Sequence, residues 1–347
     1  MNADVAIVGG GFAGAATAYH LTRGGRELNV VLFDREEVPG VHSSGRNASL
    51  VRQPEARSRI RRLAAASVAA YAERAEELGF AQVGSLLLGG PAELQALRDP
   101  SLFVSAVWSA AEATARVPLL EGHDFEAALW TPGDGIMDIA RLLQFYLDGA
   151  RAEGCEVRLG CPVEIIRQRG EGWELGTAEG TWAARVVVNA AGAWANQLAR
   201  TAGVTPRPMT AYKRHLFVLD GVEPLDPAWP FVWDVADGFY FRPESGGLLF
   251  CICDETPYED DFEPRVEPDI YDRMAEKVDR CLPRLREATV RRVWAGFRVK
   301  TPDDEFHLGP SPEAPGFFWV AGLGGHGMGC SWEIGRTAAE LILETYF

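Results

Sequence analysis

Apolar and polar positions alternate in three distinct ways along this chain. Short unbroken apolar runs bounded by glycine, at residues 5–8 (VAIV) and 186–189 (VVVN), predict buried strands. Small apolar residues over 13–22 predict a helix that stops at Gly24-Gly25. A second apolar run, 28–33, predicts a strand ending at Asp34. Longer helices are predicted over about 56–78 and 136–154, and one near 269–282. Residues 81–136 mix short apolar runs with Gly and Pro. Residues 156–189 read as strands and a hairpin that turns at Gly192. Residues 211–300 alternate strand-like runs such as HLFVLD, GFYFRP and GLLFCIC. The chain closes with a strand (FFWVA), a glycine turn and a terminal helix. No internal repeat or low-complexity tract interrupts it.

The opening elements carry chemistry. VAIVGGGFAG contains G-x-G-x-x-G at Gly9, Gly11 and Gly14, and Phe12 and Ala13 open the helix behind it. Strand, glycine turn, helix, second strand and terminal acid form a βαβ dinucleotide fingerprint. Gly9 makes the turn, Gly11 admits a pyrophosphate close to the backbone, and Gly14 lets helix and strand pack closely. The helix N-terminus offers unpaired N–H groups to phosphate. Asp34, followed by Arg35, is placed to accept hydrogen bonds from an adenosine ribose. GLGGHG at 322–327 also fits the pattern and also follows a strand. The chain ends at Phe347, where the acid of a second fingerprint would be needed, so a separate NAD(P)H domain is not expected.

Bulk properties narrow the partners. The length of 347 residues suits about two domains at roughly 150 residues each. A formal charge of −15 argues against nucleic acid or an anionic membrane as partner. No charged segment followed by an apolar one precedes the first strand, so no signal peptide is expected. The uncharged stretch 315–332 is rich in glycine and reads as strand and turn, not as a membrane span. The six cysteines form no C-x-x-C pair. Cys251 and Cys253 share one face if that run is a strand. All six read as reduced thiols of a cytoplasmic protein.

The order of HSSGRNA, VVVNAAGAWA, WAGFR and FFWVAGLGGHGMG resembles the FAD-dependent amino-acid and amine oxidoreductases of the D-amino-acid oxidase superfamily. The nearest likenesses are the D-arginine dehydrogenase, glycine oxidase and monomeric sarcosine oxidase types, over nearly the whole chain. The resemblance implies an α/β fold (α+β overall), with a Rossmann-type FAD-binding domain plus an antiparallel-sheet substrate domain. It implies a discontinuous FAD domain from 1–80, 137–210 and 305–347, and a substrate domain from 81–136 and 211–304. Ser43, Ser44, Arg46, Asn47 and Ala48 match the loop beside flavin and diphosphate. Val163 matches the residue whose backbone meets the adenine, and Ala191 and Gly192 the turn beside the cofactor. Gly324, Gly325, His326, Gly327 and Met328 match the backbone facing the flavin pyrimidine. A glycine turn that opens a helix there would stabilise negative charge on the reduced ring.

Substrate groups follow from the same resemblance. Arg298 matches the arginine that grips a substrate carboxylate, which a guanidinium holds by two parallel hydrogen bonds. Arg214 matches a second arginine and Tyr240 a substrate-facing tyrosine. Arg52 aligns with a carboxylate-binding arginine of the sarcosine oxidase type. Arg52 also belongs to an arginine-rich stretch, Arg46, Arg52, Arg57, Arg59, Arg61 and Arg62, against which Glu55 stands alone. That stretch is read as a solvated helix face, or else as a patch for an acidic substrate or acidic partner protein. The sequence departs from the family at three places. Ser85 replaces the acid that recognises a basic substrate. Phe297 replaces the cysteine that bonds FAD covalently, so non-covalent FAD is expected. Gly329 replaces the lysine after the last glycine motif. The other histidines, His20, His42, His123, His215 and His307, lack metal-site spacing, and no metal is expected.

The activity the resemblance implies is FAD-dependent oxidation of an amine, in particular an α-amino acid, by hydride transfer from Cα to flavin N5 to give an imine. O2 or another acceptor would reoxidise the flavin. Two alternatives stand beside it. One is a 2-hydroxy-acid or other alcohol dehydrogenase with His326 as base. The other is a non-catalytic flavin-binding partner protein.

Overall fold

The buried runs at 5–8, 30–33, 186–189 and 317–321 become the centre of an eight-stranded sheet. The structure, a computed structural model, describes residues 1–258 and 263–347. Strand Asn2–Val8 pairs in parallel with Val30–Phe33 on one side and with Gly180–Asn189 on the other. Glu156–Arg158 extends one edge in parallel, and Phe317–Ala321 adds to Gly180–Asn189 in parallel. His307–Pro310 closes that edge antiparallel. The long strand Gly180–Asn189 does double duty. Its first half ends an antiparallel hairpin with Gly172–Thr177 and Ile165–Arg169, and its second half enters the parallel sheet. Unbroken apolar runs are the pattern of strands covered on both faces. On one face lie helices Phe12–Thr22, Ile139–Ala152 and Ser331–Tyr346, and on the other Ala195–Thr201 with the hairpin.

A nine-stranded mixed sheet stands beside this layer. Every pair in it is antiparallel except Phe231–Asp234 against Ser85–Gly89. The expectation of an antiparallel second sheet therefore holds apart from that one joint. Its two faces divide the labour by period two. Phe217, Leu219, Phe239, Phe241, Leu248 and Phe250 point to one side and form a core with Ile270 and Val278 of helix Ile270–Cys281. Arg214, Tyr240 and Trp233 point to the other side, toward the glycine turns of the parallel sheet.

Local expectations shift at the ends. The helix expected over 56–78 divides into Ser58–Glu73 and Ala75–Leu78, with Arg74 leaving helical geometry between them. The second strand begins at Val30 instead of residue 28. The uncharged stretch near the end resolves into strand Phe317–Ala321, a turn and the start of helix Ser331–Tyr346. No helix among the described residues is long and apolar enough to cross a membrane.

Candidate active site

One cavity of about 820 Å³ runs from the first glycine turn to the inward face of the mixed sheet. Its wall begins at Gly9, Gly11, Phe12 and Ala13 and continues over Asp34 and Arg35 to Val163. Ser43, Ser44, Arg46, Asn47 and Ala48 line its middle, opposite Ala191 and Gly192. Gly324, Gly325, His326, Gly327 and Met328 close it near Arg298, Arg214, Tyr240 and Arg52. Of the cofactor- and substrate-site residues expected from the sequence, Gly14 alone is not on the wall. Its place is structural: a Cβ there would lie 1.9 Å from the carbonyl oxygen of Gly9.

The glycine turn is shaped to receive a bulky group. Gly9 has φ +114°, and a Cβ would lie 2.3 Å from the Ala190 carbonyl oxygen, so the turn abuts the end of the neighbouring strand. At Gly11 a Cβ would fall 2.8 Å from Ser44 Oγ, which already accepts the Phe12 N–H at 3.1 Å. Asp34 does more than await a ribose. Its Oδ2 accepts the Gly10 N–H at 2.6 Å and its Oδ1 the Glu36 N–H at 2.9 Å. A carboxylate has about four lone-pair sites, so two remain for ligand hydroxyls. The middle loop is pinned by its own polar groups. Asn47 Nδ2 donates to the Ser44 carbonyl at 2.7 Å, Arg46 Nε to Val41, and Arg242 Nε to the Ala48 carbonyl at 2.8 Å. Arg35 stacks over Trp194, 3.9 Å from the ring centroid. The residues present fit a dinucleotide: a side-chain-free turn, an acid at the second strand end and a long cavity between two sheets.

At the last turn the geometry is finer than expected. Gly324 takes φ +54° and its N–H donates to the Val299 carbonyl at 2.8 Å. That bond stitches the turn to the strand that carries Arg298. Helix Ser331–Tyr346 starts only after Cys330, so Gly324–Met328 precede the helix instead of forming its first turn.

The mixed sheet supplies the rest. Strands Thr210–Asp220 and Thr289–Lys300 pair Tyr212 with Arg298 and Arg214 with Gly296, which puts both arginines on one face. Tyr240 lies opposite Trp233 on one neighbour and opposite Cys251 on the other. Arg214 is 5% exposed. Its Nε donates to the Asp254 carbonyl at 2.9 Å and its Nη2 to Glu255 Oε1 at 2.5 Å, which Lys300 also meets. Its Nη1 is buried without a hydrogen-bond partner. Asp254 is fixed in turn by His215, with Nδ1 to Oδ2 at 2.6 Å, and His215 Nε2 accepts the Glu267 N–H. Those two contacts place the His215 proton on Nδ1. Arg298 has neither hydrogen bond nor ion pair with any described residue. It packs on Gly325, where a Cβ would come 3.0 Å from Cζ, and lies 5.7 Å from the Trp233 ring centroid. Burial, and then the Arg214 cation, pull Arg298 below the usual arginine value. Burial pushes the Tyr240 hydroxyl up.

Arg52 lines the same cavity with partners of its own. It is spoken for within the fold: Nη1 donates to the Pro54 carbonyl at 2.7 Å and Nη2 to Glu55 Oε2 at 3.0 Å, with His326 Nε2 at 3.3 Å. Glu55 also meets His326 Nε2 at 2.8 Å and Arg57 Nη1 at 3.2 Å. Burial alone would raise the Glu55 carboxyl, but His326, Arg52 and Arg57 outweigh it and hold it well below the usual carboxylate range. His326 is lowered chiefly by burial. Glu55 is thus the hub of this end of the cavity. The sequence marked it only as the lone acid among arginines, because its partner His326 lies 271 positions away.

The arginine-rich stretch is likewise paired. Arg57 meets Asp304 as well as Glu55, Arg59 approaches Glu305 at 3.7 Å, and Arg61 approaches Asp99 at 3.7 Å. Spacing also hid one cluster away from the cavity. His123, Asp237 and Cys281 bring their donor atoms within 4.8 Å of one another. His123 Nε2 there is held by Asp234 Oδ2 at 2.7 Å, and Arg280 and Lys277 bring positive charge to Asp237.

Comparisons with known proteins agree with this geometry. The model of the family described as FAD dependent oxidoreductase matches residues 4–341. Glycine oxidase of Geobacillus kaustophilus (strain HTA426) is 28% identical over 362 residues, covering 98% of this chain and 92% of that protein. A solved structure of glycine oxidase from Geobacillus kaustophilus superposes with TM-score 0.83 and 26% identity, over 100% of this chain and 96% of that one. Mitochondrial dimethylglycine dehydrogenase of Homo sapiens is 27% identical over 379 residues, which cover 98% of this chain. The chain spans only 42% of that relative's length. The solved L-proline dehydrogenase from P. horikoshii shares the fold, with TM-score 0.88, 24% identity and coverage of 100% and 94%.

Proposed function

The chain belongs to the FAD dependent oxidoreductase family, and from that premise we propose that it oxidises the C–N bond of a small amine, an α-amino acid, to an imine. The observation that carries this reading is the unpartnered Arg298 guanidinium on the wall that faces the glycine turns. FAD, when bound, supplies the two-electron acceptor. The chain's own residues bind and orient. Arg298 takes the substrate carboxylate by two parallel hydrogen bonds, and Gly325 and Trp233 fix the plane of its guanidinium. Arg214 stands on the same face, aimed by Asp254 and Glu255. Two cations beside the bound amine disfavour its ammonium form and so favour the neutral form that oxidation requires. Tyr240 and Trp233 give that pocket apolar walls. His326 Nε2 is tied to Glu55, so the hydroxy-acid reading would need His326 to act as base through Nδ1, and the panel below separates the two readings.

We assign the cofactor to the segments 1–80, 137–210 and 305–347, a Rossmann-type unit, and the substrate face to 81–136 and 211–304. The cofactor is held without a covalent bond, O2 or another acceptor takes the electrons, and six unbridged cysteines suit a cytoplasmic setting. No acidic partner protein is assigned to the Arg46–Arg62 stretch, since four of its six arginines are paired with acids within the fold. The test is anaerobic bleaching of the bound flavin by a panel of amines, amino acids and 2-hydroxy acids. Bleaching by an amino acid supports the reading, and bleaching by hydroxy acids alone overturns it. Acid should release free FAD. A flavin that stays on the denatured chain would refute the non-covalent assignment.

A further inference from the structure

Two sulfurs lie where the substrate groups converge. Cys251 ends strand Gly247–Cys251, is fully buried, and lies opposite Tyr240 in the sheet. Cys253 follows two residues on and lines the cavity. Its φ of +52° is left-handed, rare for a residue with a side chain. That turn brings its own N–H to Cys251 Sγ at 3.3 Å. The Cys253 side chain and the Tyr240 hydroxyl also act on the Cys251 sulfur, with Arg214 and Arg298 as the nearby cations. Arg214 Nη1, buried and unpartnered, belongs to this cluster. Burial by itself would raise the Cys251 thiol, but Cys253, Arg214, Tyr240 and Arg298 bring it down, while Cys251 and burial hold the Cys253 thiol up. Thiolates gain reactivity in such electropositive, hydrogen-bonded surroundings. Of the other four, all buried, Cys161 and Cys330 line other parts of the same cavity. Cys155 and Cys330 are pushed up to about 12 by burial.

We propose that Cys251 and Cys253 are a redox dithiol on the wall of the substrate cavity, oxidised to an intramolecular disulfide by hydrogen peroxide. The pair shares one proton. Cys253, the sulfur that peroxide can reach, passes its proton to Cys251 and attacks an oxygen of the peroxide. The O–O bond breaks, the Cys253 sulfur is oxidised to a sulfenic acid, and hydroxide leaves. Cys251 then gives up the proton and displaces the hydroxyl as water, forming the S–S bond. One thiolate, one thiol and one peroxide become one disulfide, one water and one hydroxide.

The disulfide would act on Arg214. The next two residues after Cys253 supply its anchors, the Asp254 carbonyl and the Glu255 carboxylate. Closing the two sulfurs to a bond of about 2.05 Å pulls on that segment. The lost thiolate charge acts the other way, so it is the displacement of the Arg214 anchors that sets the direction. Carboxylate capture therefore weakens on oxidation, a consequence that rests on the function proposed above.

The test uses the reduced holoenzyme, treated with hydrogen peroxide, alkylated with N-ethylmaleimide, digested and weighed. The peptide carrying both residues should be lighter by two hydrogens, resist alkylation and revert with dithiothreitol. In Cys251→Ser the oxidation should stop at a sulfenic acid on Cys253, trapped by dimedone. In Cys253→Ser the buried Cys251 should remain alkylatable after unfolding. If both sulfurs of the wild type still alkylate after peroxide, or if other cysteines oxidise first, the dithiol is refuted. Propionate binding, read from the flavin spectrum, should be at least about fivefold weaker in the oxidised protein. Equal binding in both states refutes the link to Arg214. Absence of binding in both states sinks the carboxylate reading and that link together, while the mass result decides the dithiol by itself.

Discussion

At the scale of single residues, two side chains carry opposite kinds of strain. Arg298 is a cation kept without a partner, so its stabilisation waits for a ligand. Arg298→Met should retain FAD and lose about 2–4 kcal/mol of transition-state binding, roughly 30- to 1000-fold in kcat/KM. Arg298→Lys should recover only part of that, because an ammonium lacks the planar fork. Steady-state kinetics on the bleaching substrate decide it, and near wild-type kcat/KM in the Met variant would remove Arg298 from the site. Asp134 is the reverse case, a carboxyl held where charge is costly. It is fully buried, and it accepts Gln53 N–H at 2.9 Å, Gln53 Nε2 at 3.0 Å and Ser85 Oγ at 2.6 Å. Burial outweighs those bonds and pushes it from 3.8 up to about 7. The folded protein thus keeps this proton to higher pH than the unfolded chain does. Between those two values folding takes up a proton, and stability falls as pH rises, by on the order of a few kcal/mol. Asp134→Asn should flatten the dependence of Tm on pH, gaining on wild type at pH 8 but not at pH 5. Parallel Tm curves for the two proteins would show that Asp134 is already ionised when folded.

Elements made of contiguous residues were legible, and elements joined by the sheet were not. The segment from Val5 to Asp34 declared itself because strand, turn, helix and acid follow one another, and each step is a local constraint. Gly14 could be given its packing role from sequence for the same reason. Glu55 could not be seen as a hub, since His326, Arg52 and Arg57 surround it only once the loop ahead of helix Ser58–Glu73 meets the last glycine turn. Nor could Cys251 be set beside Tyr240, because strand register decides that pairing. Period two did place Cys251 and Cys253 on one side, but it said nothing of the arginines waiting there. Helix packing was hidden in the same way. Gly335 in helix Ser331–Tyr346 lies against helix Phe12–Thr22, and a Cβ would sit 2.5 Å from the Ala16 carbonyl carbon. Backbone cannot yield as a flexible side chain can. Gly335→Ala should therefore cost about 1–3 kcal/mol of stability. It should also loosen FAD, because Phe12–Thr22 begins at the cofactor turn. Thermal melts of holo and apo protein should both fall, and an unchanged apo Tm would mean the helices are less closely packed.

For the molecule as a whole, the question is whether its charge guides ligands to the cavity. The net charge is −15, and the arginines between 46 and 62 look from sequence like an island of opposite sign. Folding changes that picture. Arg52 and Arg57 share Glu55, Arg57 also meets Asp304, Arg59 approaches Glu305, and Arg61 approaches Asp99. Arg46 Nε is occupied by the Val41 carbonyl, which leaves Arg62 exposed. At a distance comparable to a Debye length of about 8 Å, such pairs look nearly neutral. On the proposed function, the positive charge that matters is inside, on Arg298 and Arg214, where it would act on a bound carboxylate rather than on encounter. An anionic substrate would meet a weakly repelling surface before reaching it. The kcat/KM of wild type should therefore stay within about twofold from low to high salt, and any drift should be a rise as repulsion is screened. Measuring it with one anionic and one zwitterionic substrate separates the surface effect from changes in the enzyme itself. A steep fall with salt for the anionic substrate alone would mean that the stretch steers ligands despite its pairing.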